Sequence, residues 1–290
     1  MSVDILQDRI RKLKNPSMLE LLMAPEDIPE QLLQEEGTFV RACGRFCREL
    51  LERLKDQVPG VRFSFGRYAL MGPEGLVLLK ELLVLARSLG YYTALDAPGI
   101  LSPAEARITA ESLLGEESAF PCDGLIFSGF LGSDNIKPFV PYCKKQDKDI
   151  FVVVRTANKS GSELQDLLAG SRVVHVAAAD LVNRYTPGTV GRRGYARVGI
   201  MAGASSYESI RILRQNYPQL FMVLDGADYP NANAKNCSFA FDQFGHGAVA
   251  CIGESVTCAW KAEGEGDWLD KAEAGAERMK KNLTRYVTIL

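Results

Sequence analysis

The sequence predicts a parallel (β/α)8 barrel, and three observations predict it. Short β-branched or apolar runs recur eight times, stretches with apolar residues at three and four spacing lie between them, and no Pro/Ser-rich or low-complexity segment divides the chain. The expected strands are 19–23, 61–65, 92–95, 124–127, 150–154, 197–201, 221–224 and 248–252. Helical patterns occupy 39–55, 73–89, 103–114, 173–183, 207–215 and 235–244. At 290 residues and 47% apolar content the chain suits one barrel, a fold of typically about 250 residues, spanning 1–290 as a single domain. Right-handed crossovers leave few other closures, and an open doubly wound sheet is the alternative.

Taken in order, residues 1–15 mix Asp4, Asp8, Arg9, Arg11 and Lys12 with spaced Ile and Leu, which describes an amphipathic helix without the apolar core of a signal peptide. A cytoplasmic protein is therefore expected. The most apolar stretch, 76–85, is interrupted by Lys80 and Glu81 and is shorter than the roughly 20 residues a bilayer span needs, so no membrane helix is expected. Ser102 and Pro103 before Ala104 and Glu105 read as a cap followed by proline in the first helical turn. Arg192 and Arg193, flanked by Gly191 and Gly194, read as a mobile basic loop without the interleaved aromatics of a nucleic-acid surface.

Lys+Arg 34 nearly balances Asp+Glu 36, so no overall field recruits nucleic acid. The seven cysteines, at 43, 47, 122, 143, 237, 251 and 258, lack CxxC pairing and read as reduced, mostly structural thiols. With only His175 and His246 to add, they make no zinc set; both histidines are expected to be structural, and neither metal nor cofactor is expected.

A barrel of this type carries its site where strands end and the following loops begin. Those segments are 24–26, 64–67, 96–99, 128–130, 155–158, 202–204, 225–228 and 253–255. They supply the candidate pocket residues Ser64, Asp96, Arg155, Thr156, Asn158, Gly203, Asp225, Asp228, Glu254 and Ser255. Asp96 could bind a ligand, steer a proton or accept hydrogen bonds from its own turn; Thr156 and Asn158 could equally order theirs.

Taken together, the rim segments resemble the orotidine 5′-phosphate decarboxylases of the longer bacterial subgroup, over nearly the whole chain. Residues 127–139 (Phe-Ser-Gly-Phe-Leu-Gly-Ser-Asp-Asn-Ile-Lys-Pro-Phe) resemble that family's segment after strand four, and Arg155-Thr-Ala-Asn158 its Arg-Thr-Ser-Asn turn. Tyr68-Ala-Leu-Met-Gly72 and Gly199-Ile-Met-Ala-Gly-Ala204 are similar to two further family turns. The resemblance also implies losses. Where the family has Asp-x-Lys-Arg-Gly-Asp-Ile after strand three, with a lysine that protonates the carbon left by departing CO₂, this chain reads Asp96-Ala-Pro-Gly-Ile-Leu-Ser102. Asp96 is the retained acid, Pro98 stands at the lysine position and Leu101 at that of the second aspartate. Ala24 and Ser64 replace an aspartate and a lysine at the ends of strands one and two, and Ala157 replaces a serine.

The family holds phosphate with backbone N–H groups and an arginine after strands seven and eight. Here Val256 takes the arginine position, Pro230 removes a donor, and Asp225, Asp228 and Glu254 place negative charge where a dianion would dock. The expectation is a catalytically degenerate homologue with a binding or regulatory role. It would pair as a homodimer through the rim or with a paralogous decarboxylase, the residues shared across that contact reading here as Leu101 and Glu105. The alternatives are a functional decarboxylase of pyrimidine nucleotide (UMP) synthesis, or an enzyme using Asp96, Asp225 or Glu254 as acid and base on a non-phosphorylated small molecule.

Overall fold

Eight strands, each rich in β-branched or bulky apolar residues, pair in parallel around a closed cylinder in the computed structural model, which describes residues 2–262 and 266–290. They are β1 (Ser17–Leu21), β2 (Gly60–Ser64), β3 (Tyr92–Asp96), β4 (Gly124–Ser128), β5 (Asp149–Arg155), β6 (Ala196–Gly203), β7 (Leu220–Asp225) and β8 (Ala248–Ile252). β1 closes the ring by pairing with both β2 and β8, so the expected (β/α)8 barrel is what forms. β1 begins two residues earlier than expected, because Leu22 and Met23 continue the apolar run past the last paired residue.

The crossovers are helical where the three-and-four spacing placed them: Phe39–Leu54, Gly72–Ser88, Pro103–Leu114, Val174–Asn183 and Tyr207–Asn216. Each lays an apolar face on the barrel, for example Ala42, Phe46, Leu50 and Leu54 of the first. Ser102 caps its helix, its hydroxyl accepting the Glu105 N–H at 3.2 Å, with Pro103 in the first turn as read. The expected helix 235–244 is corrected to Ala234–Ser238. Asp242 Oδ1 accepts the N–H groups of Phe244 and His246, and Gly245 and Gly247 have φ of 74° and 85°, so a turn replaces the helix.

The N-terminal helix Val3–Leu13 packs beside the start of β8, where Gln7 accepts the Gly247 N–H at 3.0 Å, and corrects a second expectation. Asp4 accepts the backbone N–H groups of Arg192 and Arg193, and Asp8 pairs with both guanidinium groups, so that basic loop is anchored. Inside the barrel, Tyr92 donates its hydroxyl to Asp149 at 2.7 Å. Gly124 makes the room, since a methyl there would collide with the Tyr92 hydroxyl and the Phe151 ring. Six of the seven thiols are buried and Cys258 is half-buried; none is paired. No helix among the described residues is long and apolar enough to cross a membrane.

Candidate functional site

The C-terminal mouth of the barrel is organised by one cation that strand periodicity turns inward. β1 and β2 are aligned so that Glu20 stands opposite Arg62, each flanked by buried apolar residues. Arg62 reaches across the interior to three strands. Its Nε and Nη2 donate to the two carboxylate oxygens of Asp96 at 2.8 and 2.9 Å, and its Nη1 donates to Asp225 at 2.7 Å and to Glu20. Because β7 lies three places from β2 around the ring, the bond to Asp225 spans the mouth.

Arg62 is 8% exposed and faces three carboxylates, so the cluster carries surplus negative charge. Burial pushes the Glu20 carboxyl up to about 7, against the pull of Arg62 and with added repulsion from Asp225, Asp228 and Asp96. Burial also raises Asp96, with Arg62 opposing. For Arg62 itself burial acts downward, yet Asp96 and Glu20 outweigh it and hold the guanidinium well above its ordinary value. Arg62 is therefore a permanent cation and cannot hand over a proton.

Two cavities flank this cluster. One of about 260 Å³ is lined by Arg62, Asp96, Ser128, Arg155, Thr156 and Asp225 among others. Arg155 is held by Asp166 through Nε and Nη2 at 3.0 and 2.9 Å, a pair that keeps the Asp166 carboxyl below its usual range. His175, buried behind it, contacts the same carboxylate at 3.2 Å. Gln165 Oε1 accepts the Thr156 amide and hydroxyl at 2.8 and 3.0 Å. The other cavity, of about 180 Å³, lies over β1 and β8 and meets Glu20, Ala24, Glu26, Tyr229, Gly253 and Glu254.

The turn after β8 contains the second distinctive contact. Asp228 Oδ2 accepts the backbone N–H groups of Gly253 and Ser255 at 2.8 and 2.9 Å. A side-chain carboxylate thus occupies donors that an anionic ligand would use. Val256 is fully buried, so its position contributes packing and no charge to this turn.

The structure brings together Asp96, Arg155, Thr156 and Asp225, and sets Ser64 beside Asp96 through β2–β3 pairing. Gly203 supports the turn after β5, where a side chain would collide with the Ala157 backbone. Asn158 is exposed and lines neither cavity, and Glu254 belongs to the second cavity. Leu101 is 82% exposed, and its N–H is taken by Glu105 at 2.6 Å. Asp225 and Asp228, read as negative charge where a dianion would dock, are each engaged, the first paired with Arg62 and the second hydrogen-bonded to the β8 turn. Beside Arg155 the mouth holds a second cation that the sequence reading did not include, Arg62, supplied from inside β2 two residues before Ser64. Glu20 and Arg62 were missed because the reading followed strand ends; a charge inside each of the runs Leu19-Glu-Leu21 and Val61-Arg-Phe63 was the available signal.

These features define a (β/α)8 barrel with a polar site at its C-terminal mouth. No family model matches the chain. It is 28% identical over 260 residues to the orotidine 5′-phosphate decarboxylase of Rhodopirellula baltica, covering 86% of each chain. It is 22% identical to that of Caldicellulosiruptor saccharolyticus, covering 83% of this chain and 81% of the relative. Among solved structures, the Plasmodium berghei orotidine 5′-monophosphate decarboxylase superposes with a TM-score of 0.80 at 14% identity, over 98% of this chain and 99% of that one. The Leishmania donovani OMP decarboxylase superposes with a TM-score of 0.76 at 20% identity, over 99% and 98%. The chain is a homologue of the orotidine 5′-phosphate decarboxylases.

Proposed function

We propose that this barrel is a catalytically degenerate homologue that binds a non-phosphorylated small molecule and has a binding or regulatory role. The observation that carries the reading is the charge set at the mouth. Among the described residues neither cavity is lined by a lysine; of the lining arginines, Arg62 is spent on three carboxylates and Arg155 on Asp166, while Arg67 is exposed at the second cavity. Pro98, at the position of the family's proton donor, has no ionisable group. Asp228 on the N–H groups of Gly253 and Ser255, with Val256 buried, supports the companion reading that no 5′-phosphate docks there. Buried unpaired thiols accord with a reducing, cytoplasmic setting.

Thermal unfolding with orotidine and with its 5′-phosphate tests the phosphate argument. A specific ligand at about 100 times its Kd stabilises by about 2.7 kcal/mol. The 5′-phosphate ester is expected to raise Tm no further than the nucleoside does, and a distinctly larger shift would contradict the reading.

The same mouth supports pairing with a second copy. Leu70, Leu101 and Phe130, on three consecutive βα loops, are 83%, 82% and 81% exposed, a solvent cost that a covered face removes. Sedimentation of the purified chain is expected to give a dimer, and Phe130→Asp is expected to give a monomer with unchanged circular dichroism. A wild-type monomer, or its appearance only in complex with an intact decarboxylase, would overturn the homodimer.

A further inference from the structure

The cavity of about 180 Å³ over β1 and β8 has a chemistry that the mouth cluster does not use. Its floor is Glu20, a side chain 4% exposed. One carboxylate oxygen, Oε1, is committed to Arg62, and among the described residues Oε2 has no hydrogen-bond partner. That free oxygen lies beside Gly253, 3.2 Å from where a Cβ would stand, and Glu20 and Gly253 both line the cavity. A larger residue at 253 would crowd it. The lip carries Glu26 and Glu254, neither of which has an ion-pair partner among the described residues, against a single exposed cation, Arg67. Asp27 is already occupied, accepting the Ala24 N–H at 2.8 Å and the Cys258 thiol at 3.2 Å, with Lys261 4.0 Å away. Tyr229 is also among the lining residues, an aromatic ring available to a cation.

A buried acceptor with one open lone-pair face, an aromatic wall and an acidic lip together match a small positively charged group with N–H donors. We propose that this cavity is a binding site for a small primary alkylammonium, its nitrogen donating to Glu20 Oε2 beside the Tyr229 ring and its short chain against Leu22 and Met23. At about 180 Å³ the cavity has room for a small ligand such as a short-chain amine. The proposal deepens the reading of a barrel for non-phosphorylated ligands and rests on it.

Calorimetric titration of the full chain with n-butylammonium, n-butanol and butyrate, at equal ionic strength, tests the site. Butylammonium is expected to bind with the alcohol and the carboxylate silent. Glu20→Gln, checked for an intact thermal transition, is expected to weaken binding by about tenfold or more, and Tyr229→Leu by about threefold. Equal binding of butanol, or undiminished binding by Glu20→Gln, would overturn the proposal, as would no heat from any of the three. Sodium displacing butylammonium at comparable concentration would show a bare cation site and would also overturn it. Failure here with no turnover of orotidine 5′-phosphate removes only the amine site; turnover of that nucleotide would remove the functional reading independently.

Discussion

Arg62→Met is expected to destabilise the protein by about 3–5 kcal/mol near neutral pH, a large share of the roughly 5–15 kcal/mol that holds a typical domain folded. The cost arises because the substitution leaves Glu20, Asp96 and Asp225 facing one another without their shared cation. Removing one partner of a buried ion cluster costs more than the cluster contributes, since the remaining charges stay desolvated. The loss should shrink in acid, where Glu20 and Asp96, both raised by burial, take up protons. Glu20 gives the same network an opposite sign. Its folded-state pKa is raised from 4.5 to about 7, so its contribution to stability is complete below about 4.5 and is lost as pH rises through 7. At 1.36 kcal/mol per unit that loss is about 3 kcal/mol. Glu20→Gln should therefore be the more stable protein above about pH 8 and near parity at about pH 5. Thermal unfolding of the three proteins across that range checks both signs. An Arg62→Met transition that matches wild type at neutral pH would show that the cluster is not holding the mouth together.

The strand and helix pattern was legible because periodicity is a local property. β8 has the bounds its apolar run marks, 248–252, and the Ser102 cap and Pro103 turn form as their chemistry requires. Where the reading failed, the deciding contact came from elsewhere in the chain. Arg192 and Arg193 read as loose between glycines, and only the return of the N-terminal helix brings Asp4 and Asp8 to them. Asp225 and Asp228 read only as negative charge at a phosphate site for the same reason. Their partners, Arg62 and the Gly253 turn, are distant in sequence, and closure of the ring joins them. Of the mouth itself, Asp96, Arg155 and Thr156 were found at strand ends. Glu20 and Arg62, inside strands, were hidden by the apolar residues on either side.

The second large effect expected from the proposed function is the absence of decarboxylation. A positioned proton donor alone contributes about 10²–10⁴-fold to an enzyme's rate. The chain has Pro98 where the family resemblance puts that donor, and its β8 turn is closed by Asp228. Under the proposed function the two substitutions act on different parts of the reaction, one on proton delivery and the other on holding the 5′ group, so their effects are expected to compound. kcat/KM for orotidine 5′-phosphate is expected to lie at least about 10⁴-fold below that of an intact homologue, in the range of undetectable turnover. Restoring lysine at position 98 should not recover it, since Asp228 still occupies the turn and Arg62 still binds Asp96.

The most direct test is the ultraviolet decarboxylation assay on purified protein at micromolar concentration with saturating orotidine 5′-phosphate, run beside an intact decarboxylase. The expected trace does not depart from the protein-free control. Stoichiometrically repeated conversion to uridine 5′-phosphate at an enzyme-like rate, retained on repurification, would contradict it.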